Sequence, residues 1–114
     1  EGMILSRPTK CRRVCRFPET LEFFTTGETL GEPVILTVDE YETIRLVDKE
    51  GLRQEDCGTQ LGVGRTTVQK IYETARRKIA DALVLGRSLR IEGGDFYLCN
   101  GNSEFCYQKS CLKR

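Results

Sequence analysis

The chain has 114 residues, a formal net charge of +1, 39% hydrophobic and 31% charged residues. That composition fits one small domain with appendages and excludes both a wholly disordered chain and a membrane protein. There is no His, which removes Ser-His-Asp and Cys-His catalysis and every zinc site that uses imidazole.

No apolar run reaches the roughly 20 residues that span a bilayer, and the start lacks the apolar core of a signal peptide. A cytoplasmic location without a membrane partner is therefore expected. Glu1 and Gly2 stand ahead of the one methionine, Met3, and are expected to be foreign to the domain. Charge is uneven along the chain. Residues 1–16 hold five bases and one acid, residues 17–60 three bases and eleven acids, and residues 61–92 seven bases and three acids. Two basic segments around an acidic one suggest a polyanion-binding face with an acidic back.

In chain order, residues 3–36 form a basic arm followed by a strand segment. Phe17-Pro18-Glu19 breaks any helix, and Thr26-Gly27 and Gly31-Glu32-Pro33 signal turns before the β-branched run Val34-Ile35-Leu36. Residues 37–86 are the helical domain. Thr37 and Glu40 make a capping-box pattern, and Val38, Tyr41, Ile44 and Val47 continue it as an apolar stripe that ends before Gly51. A short second helix is predicted from Gln54 to Leu61, and a long third from Arg65 to about Leu85. The third has an apolar face of Val68, Ile71, Tyr72, Ala75, Ile79, Ala82 and Leu83. In residues 87–114, Leu89–Glu92 and Phe96–Leu98 flank Gly93-Gly94 as a predicted β-hairpin, ahead of a polar, Cys-rich tail.

Residues 54–72 carry the strongest pattern. A helix-turn-helix counted from Gln54 needs apolar or small residues at Cys57, Leu61, Val63, Val68 and Ile71, and all comply. Gly58 falls where the close crossing admits nothing larger than Ala, and Gly62 where the turn needs φ > 0. Gly64 then caps a recognition helix whose first turn is Arg65, Thr66 and Thr67, with Gln69 and Lys70 one turn on. First-turn residues reach base edges in a major groove. Arg65 suits guanine, Gln69 adenine and Thr66 thymine, while Lys70, Arg76 and Arg77 suit phosphates. Arg12 and Arg13 are placed to track phosphates or a minor groove, or else to pair with the acidic segment 39–56. Ordinary helix surface is the plainer reading of each residue singly; the cluster carries the argument.

From Val34 to Leu85 the chain resembles the region-four helix-turn-helix of sigma factors, through Leu36-Thr37-Val38-Asp39-Glu40-Tyr41-Glu42, Arg45-Leu46 and Gly62-Val63-Gly64-Arg65-Thr66-Thr67-Val68. Nearly the whole chain further resembles an uncharacterised prokaryotic family of DNA-binding proteins, domain of unknown function 134. The stretches that carry this are Arg7-Pro8, Cys11-Arg12-Arg13-Val14-Cys15, the Leu36–Leu46 run, Ala75-Arg76-Arg77-Lys78-Ile79-Ala80-Asp81-Ala82-Leu83 and Leu89-Arg90-Ile91-Glu92-Gly93-Gly94. Such modules commonly carry Ser where Gly64 stands, a loss of at most about a few tenths of a kcal/mol. The resemblance implies a class of function and names no target.

The expected fold is mainly helical with small strand additions. Its centre is a winged-helix or homeodomain-like core of three helices, with an N-terminal strand and arm and a C-terminal β-hairpin and tail. The expected function is a sequence-specific transcriptional regulator bound to double-stranded DNA, not an enzyme, since no carboxylate pair, phosphate loop or nucleophile–base pair is present. An interaction module for RNA polymerase is the rival reading. A homodimer is expected, because one helix-turn-helix reads only a few base pairs; apolar edges at Leu21–Phe24, Val34–Leu36 and Phe96–Leu98 are available to pair across it, or to close on one another within one chain.

Cysteines add a second theme. Cys11 and Cys15 lie near one end, Cys99, Cys106 and Cys111 near the other, and Cys57 falls in the helical core. Zinc takes four thiolates in a tetrahedron, and five candidates compete for four places. Cys15 with the three tail cysteines is the preferred set, and Cys11 is the fifth candidate. An iron–sulfur cluster, a redox sensor, and plain thiols or disulfides are the alternatives to zinc.

Overall fold

A two-way hydrogen bond starts the first helix. The Thr37 hydroxyl accepts from the Glu40 amide at 3.4 Å, and the Glu40 carboxylate accepts from the Thr37 amide at 2.9 Å, the reciprocal cap that the sequence pattern predicts. In the computed structural model, which describes residues 12–27 and 31–99, α1 spans Val38–Ile44 and runs on as a π-helical turn, Arg45–Lys49. Helices α2, Gln54–Leu61, and α3, Arg65–Leu85, follow, with the bounds expected from the sequence. Five short strands surround them: β1 (Arg12–Val14), β2 (Glu22–Phe23), β3 (Val34–Leu36), β4 (Leu89–Ile91) and β5 (Phe96–Leu98). The described chain is thus mainly helical, with three α-helices and small strand additions. Among the described residues no helix is long and apolar enough to cross a membrane.

The core has two parts. Leu46, Cys57, Leu61 and Val68 bury together between the π-helical turn, α2 and α3, with Val47, Leu52 and Val63 packed against them. Full burial of such an aliphatic side chain stabilises by roughly 1.5–3 kcal/mol. In the second cluster, Val14, Leu36, Val38, Ala75 and Ile91 come together from the arm, the helical region and the segment after α3. The three stretches divided in the sequence therefore share one interior. Gly62 ends α2 in the left-handed region at φ 78°, as its place in the turn requires.

A buried ion pair joins the arm to the helices. Glu42 is buried in α1, and its two carboxylate oxygens accept from Arg45 Nε at 2.8 Å and Nη2 at 2.9 Å. One of those oxygens also accepts from the Cys15 amide at 2.9 Å. Desolvating two charges costs several kcal/mol, which the bidentate geometry and the extra amide offset.

The predicted hairpin does not form. Strand β4 is the middle of a three-stranded sheet of order β2-β4-β3, antiparallel to β2 and parallel to β3, while β5 pairs in parallel with β1. Both edges of β4 are taken, so none is left for β5. Gly93 and Gly94 serve instead to carry the chain across the start of α1. The Gly93 carbonyl accepts from the Val38 amide at 3.0 Å, and a Cβ on Gly94, at φ +104°, would stand 2.9 Å from Thr37 Cβ. The same pairings take up one edge each of β2, β3 and β5 within the chain. Two helix positions also depart from expectation: Leu83 is exposed, and Tyr72 is only half-buried and faces the surface groove described below.

Gly58 decides how closely α2 approaches the turn and α3. An added Cβ there would lie 2.7 Å from the Val63 carbonyl oxygen and 3.3 Å from Val68 Cγ2. An ordinary helix gains about 1 kcal/mol from Gly→Ala, but here the obstacle is backbone that cannot rotate away. Gly58→Ala should therefore destabilise, by roughly 1–3 kcal/mol, in urea unfolding followed by circular dichroism.

Candidate nucleic-acid interface

Helix α3 buries Val68, Ile71, Ala75 and Ala82 and turns its other side to solvent. Arg65, Gln69 and Arg76 recur at helical spacing along that outer side, and all three are exposed, as are Thr66, Lys70 and Arg77. Thr67 is half-buried; it lies four residues before the buried Ile71, closer to the inward stripe than its neighbours Arg65 and Thr66. A groove of about 750 Å³ is lined by Gln54, Gln69, Tyr72, Glu73, Arg76 and Arg77. A second, of about 600 Å³, is bounded by Leu52, Arg53, Gln54, Glu55, Arg65 and Gln69. Gln54 and Gln69 line both. The face is polar and cationic, with Glu73 and Glu55 as its acids.

Tyr72 belongs to this face. Its hydroxyl donates to Asp48 Oδ1 at 2.7 Å, and the Arg76 guanidinium lies 5.2 Å from its ring centroid. The hydrogen bond to Asp48 is the main cause that raises the Tyr72 pKa, with burial and the Asp48 charge adding to it. The tyrosine thereby orients Arg76 by a cation–π contact. Sequence reasoning missed Gln54, Tyr72 and Asp48 as members of the surface. The four-residue spacing of Tyr72 and Arg76 was a usable signal, but nothing local links Asp48 to a residue 24 positions later.

Arg12 and Arg13 are both engaged with the body of the chain. Arg12 lies between Asp39 Oδ2, at 3.8 Å, and Asp95 Oδ2, at 3.7 Å. Its alternative, pairing with the acidic segment, is the arrangement found, and Arg12 is withdrawn from a phosphate role. Arg13 donates from Nη2 to the Thr59 carbonyl of α2 at 2.9 Å. Lys78 is likewise engaged, with Glu40 Oε1 at 2.7 Å.

Two of the five candidate metal ligands are brought to one end of the β1–β5 pair. Parallel pairing sets Val14 beside Leu98, and the Cys99 amide donates to the Val14 carbonyl at 2.9 Å. Cys15 and Cys99 therefore leave β1 and β5 at the same end, Cys15 buried and Cys99 half-buried. Cys11, Cys106 and Cys111 lie outside the described residues. Among the described residues no three His, Cys, Asp or Glu side chains gather as a metal site.

The family model described as "Protein of unknown function DUF134" matches residues 3–99, which take in every strand and helix above. The chain belongs to the DUF134 family. It is similar to a UPF0251 protein of Desulfitobacterium hafniense (strain DSM 10664 / DCB-2), with 49% identity over 112 residues that cover 96% of this chain and 89% of that protein. It is also similar to UPF0251 proteins of Desulforudis audaxviator, 49% identical over 81% of this chain and 61% of the relative, and of Caldicellulosiruptor saccharolyticus, 45% identical over 83% and 72%. No solved structure matches the chain. For this DUF134 protein, then, the reading of the interface rests on its own residues.

Cys57 is set apart from the other thiols. Burial pushes it from 9.0 up to about 12, with the nearby Glu42 adding and Arg45 opposing. Because the folded value lies above the unfolded one, its contribution to stability is whole below about pH 9 and is lost as pH rises towards 12. At pH 8, iodoacetamide should leave Cys57 unmodified in native protein and modify it in urea, as read by peptide mass spectrometry.

Proposed function

We propose that this DUF134 protein is a sequence-specific DNA-binding regulator of transcription. In this reading α2, the turn at 62–64 and α3 act as a helix-turn-helix of the sigma region-four kind, in a winged-helix or homeodomain-like core. The observation that carries it is the outer stripe of α3. Arg65 and Gln69 stand exposed on the first two turns of a helix whose opposite side is locked against α2 through Gly58. An Arg and a Gln at that end of a groove-entering helix can each make bidentate contact with a base. Lys70 and Arg77, together with Arg76 oriented by Tyr72, are placed to hold flanking phosphates. Arg12 is not part of the set. The role is one of binding in the cytoplasm, with double-stranded DNA as partner and no reaction catalysed.

Selection of bound fragments from genomic DNA would yield the preferred site. On that site, Arg65→Ala with Gln69→Ala should lose roughly 2 kcal/mol or more, about 30-fold in affinity, with unchanged circular dichroism. Lys70→Ala or Arg77→Ala should instead weaken all sequences alike and lower the salt slope by about one. Equal binding of the selected site by the double variant would overturn the assignment, and binding to RNA polymerase without DNA would favour the interaction-module reading.

We further propose that thiolates from both chain ends bind one zinc ion, with Cys15 and Cys99 as two of the ligands. Their placement at one end of the β1–β5 pair supports this, and Cys106, Cys111 and Cys11 are the candidates for the remaining places. Purified protein should hold about one zinc per chain and be colourless. Cys15→Ser and Cys99→Ser should each lose the metal, and Cys57→Ala should retain it. Visible absorbance in anaerobically purified protein would replace zinc with an iron–sulfur cluster.

A further inference from the structure

Between the three-stranded sheet and the helices lies a cavity of about 480 Å³, within the range that encloses small organic ligands. It shares no residue with the two grooves of the cationic face. Its inner wall is apolar: Leu36 and Ile91 are buried, and Ile44, Ile79 and Leu89 are half-buried. Its rim is charged. Arg16 from the arm, Lys49 from the π-helical turn and Glu50 just after it are all exposed. A π-helical turn is rare and often marks a functional site.

The charges on the rim are unequally engaged. Glu50 faces Arg45 at 3.5 Å, and Arg45 is itself held by the buried Glu42. Arg16 and Lys49, by contrast, have no carboxylate partner among the described residues. Tyr41 also lines the cavity, and its hydroxyl makes no hydrogen bond among the described residues. An apolar hollow with two uncommitted cations and a free hydroxyl is complementary to a molecule that is apolar at one end and anionic at the other.

We propose that this cavity binds a small organic acid, an aromatic or aliphatic monocarboxylate. Its apolar body enters between the sheet and the helices, and its carboxylate is held by Arg16 and Lys49. A neutral hydrocarbon would leave both cations unanswered. A phosphate or other multiply charged anion would meet both Glu50 and the apolar wall, which solvates no charge. A carboxylate accepts from guanidinium and ammonium in the stronger, charge-assisted kind of hydrogen bond, so the acid is the expected occupant and its amide is not.

The π-helical turn also reaches the cationic face, and this part of the inference rests on the DNA-binding reading. Leu46 of the turn is buried in the α2–α3 core, and Asp48 accepts from the Tyr72 hydroxyl beside Arg76. An acid held by Lys49 therefore acts on the turn that supports the DNA-contacting helix, and coupling between the two sites is reciprocal.

Titration of the full chain with 3-phenylpropionate, indole-3-acetate and octanoate, without DNA and followed by amide NMR, tests the site. At least one acid should saturate below about 5 mM, with shifts at Leu36, Ile91 and residues 45–50. Its amide should bind at least about tenfold more weakly. Arg16→Gln and Lys49→Gln should each weaken the acid about fivefold or more and leave the amide unchanged. Failure of all three acids to saturate, equal binding of acid and amide, or indifference to both variants would overturn the proposal. So would nuclear Overhauser contacts from residues 100–114 into the cavity, which would make the chain's own end the occupant. Cavity shifts that follow protein concentration would make the occupant a second copy, with the same consequence. Saturating acid should change the affinity for the selected DNA site at least about threefold; unchanged affinity would uphold the cavity and overturn the coupling. Acid binding by a chain that selects no DNA would overturn only the DNA reading.

Discussion

The fold depends on a carboxylate held where water does not reach. Glu42 sits in α1 with both oxygens committed, to the forked guanidinium of Arg45 and to the Cys15 amide. A lone buried charge would cost far more than the domain could tolerate, so these partners are fixed together or not at all. Through Arg45 the pair orders the π-helical turn, whose Leu46 enters the α2–α3 core. The Cys15 amide brings the arm to the same place, which aligns β1 for pairing with β5. The rise in the Cys57 pKa is a consequence of the same neighbourhood, since burial and the Glu42 charge both oppose a second anion.

Strand β4 is the second constraint. It lies between a strand that precedes the helices by antiparallel pairing and one that leads into α1 by parallel pairing. Such a centre ties the segment after α3 to the start of the helical region, and Ile91 is buried with Val14, Leu36, Val38 and Ala75 as a result. The glycines at 93 and 94 then make sense as a passage over the α1 N-terminus, where any side chain at 94 would strike Thr37 or Asp39.

Charge is sorted by these same contacts. Arg12, Arg45, Lys78 and Arg90 face carboxylates of the body, whereas Arg65, Lys70, Arg76 and Arg77 remain on the exposed side of α3. Net charge near zero is thus compatible with a cationic face, because the basic residues that balance the acidic segment are largely different from those on the groove. Tyr72 joins both regimes, bonded to Asp48 by its hydroxyl and stacked with Arg76 by its ring.

The local elements were legible in the sequence because their information is local. The Thr37/Glu40 cap, the α2 and α3 bounds, and the need for a small residue at 58 and for Gly at 62 each follow from residues within a few positions, at a 3.6-residue period. The Val63 carbonyl that bars even Ala at 58 is by contrast a tertiary contact. The exposed positions of Arg65 and Gln69 follow from the same period. Tertiary structure alone decided the strand partners. Each strand is two or three residues long, too short for alternation to fix a register, and Glu22 meets Arg90 across 68 positions. A Gly-Gly between two apolar runs reads locally as a hairpin, yet β4 had better-placed partners on both sides. For the same reason the sequence could not tell that Arg12 turns towards Asp39 and Asp95, that Tyr72 faces outward, or that Leu83 lies beyond the reach of the core. A helical period assigns a side chain to a face, but only the neighbouring elements determine whether that face is covered.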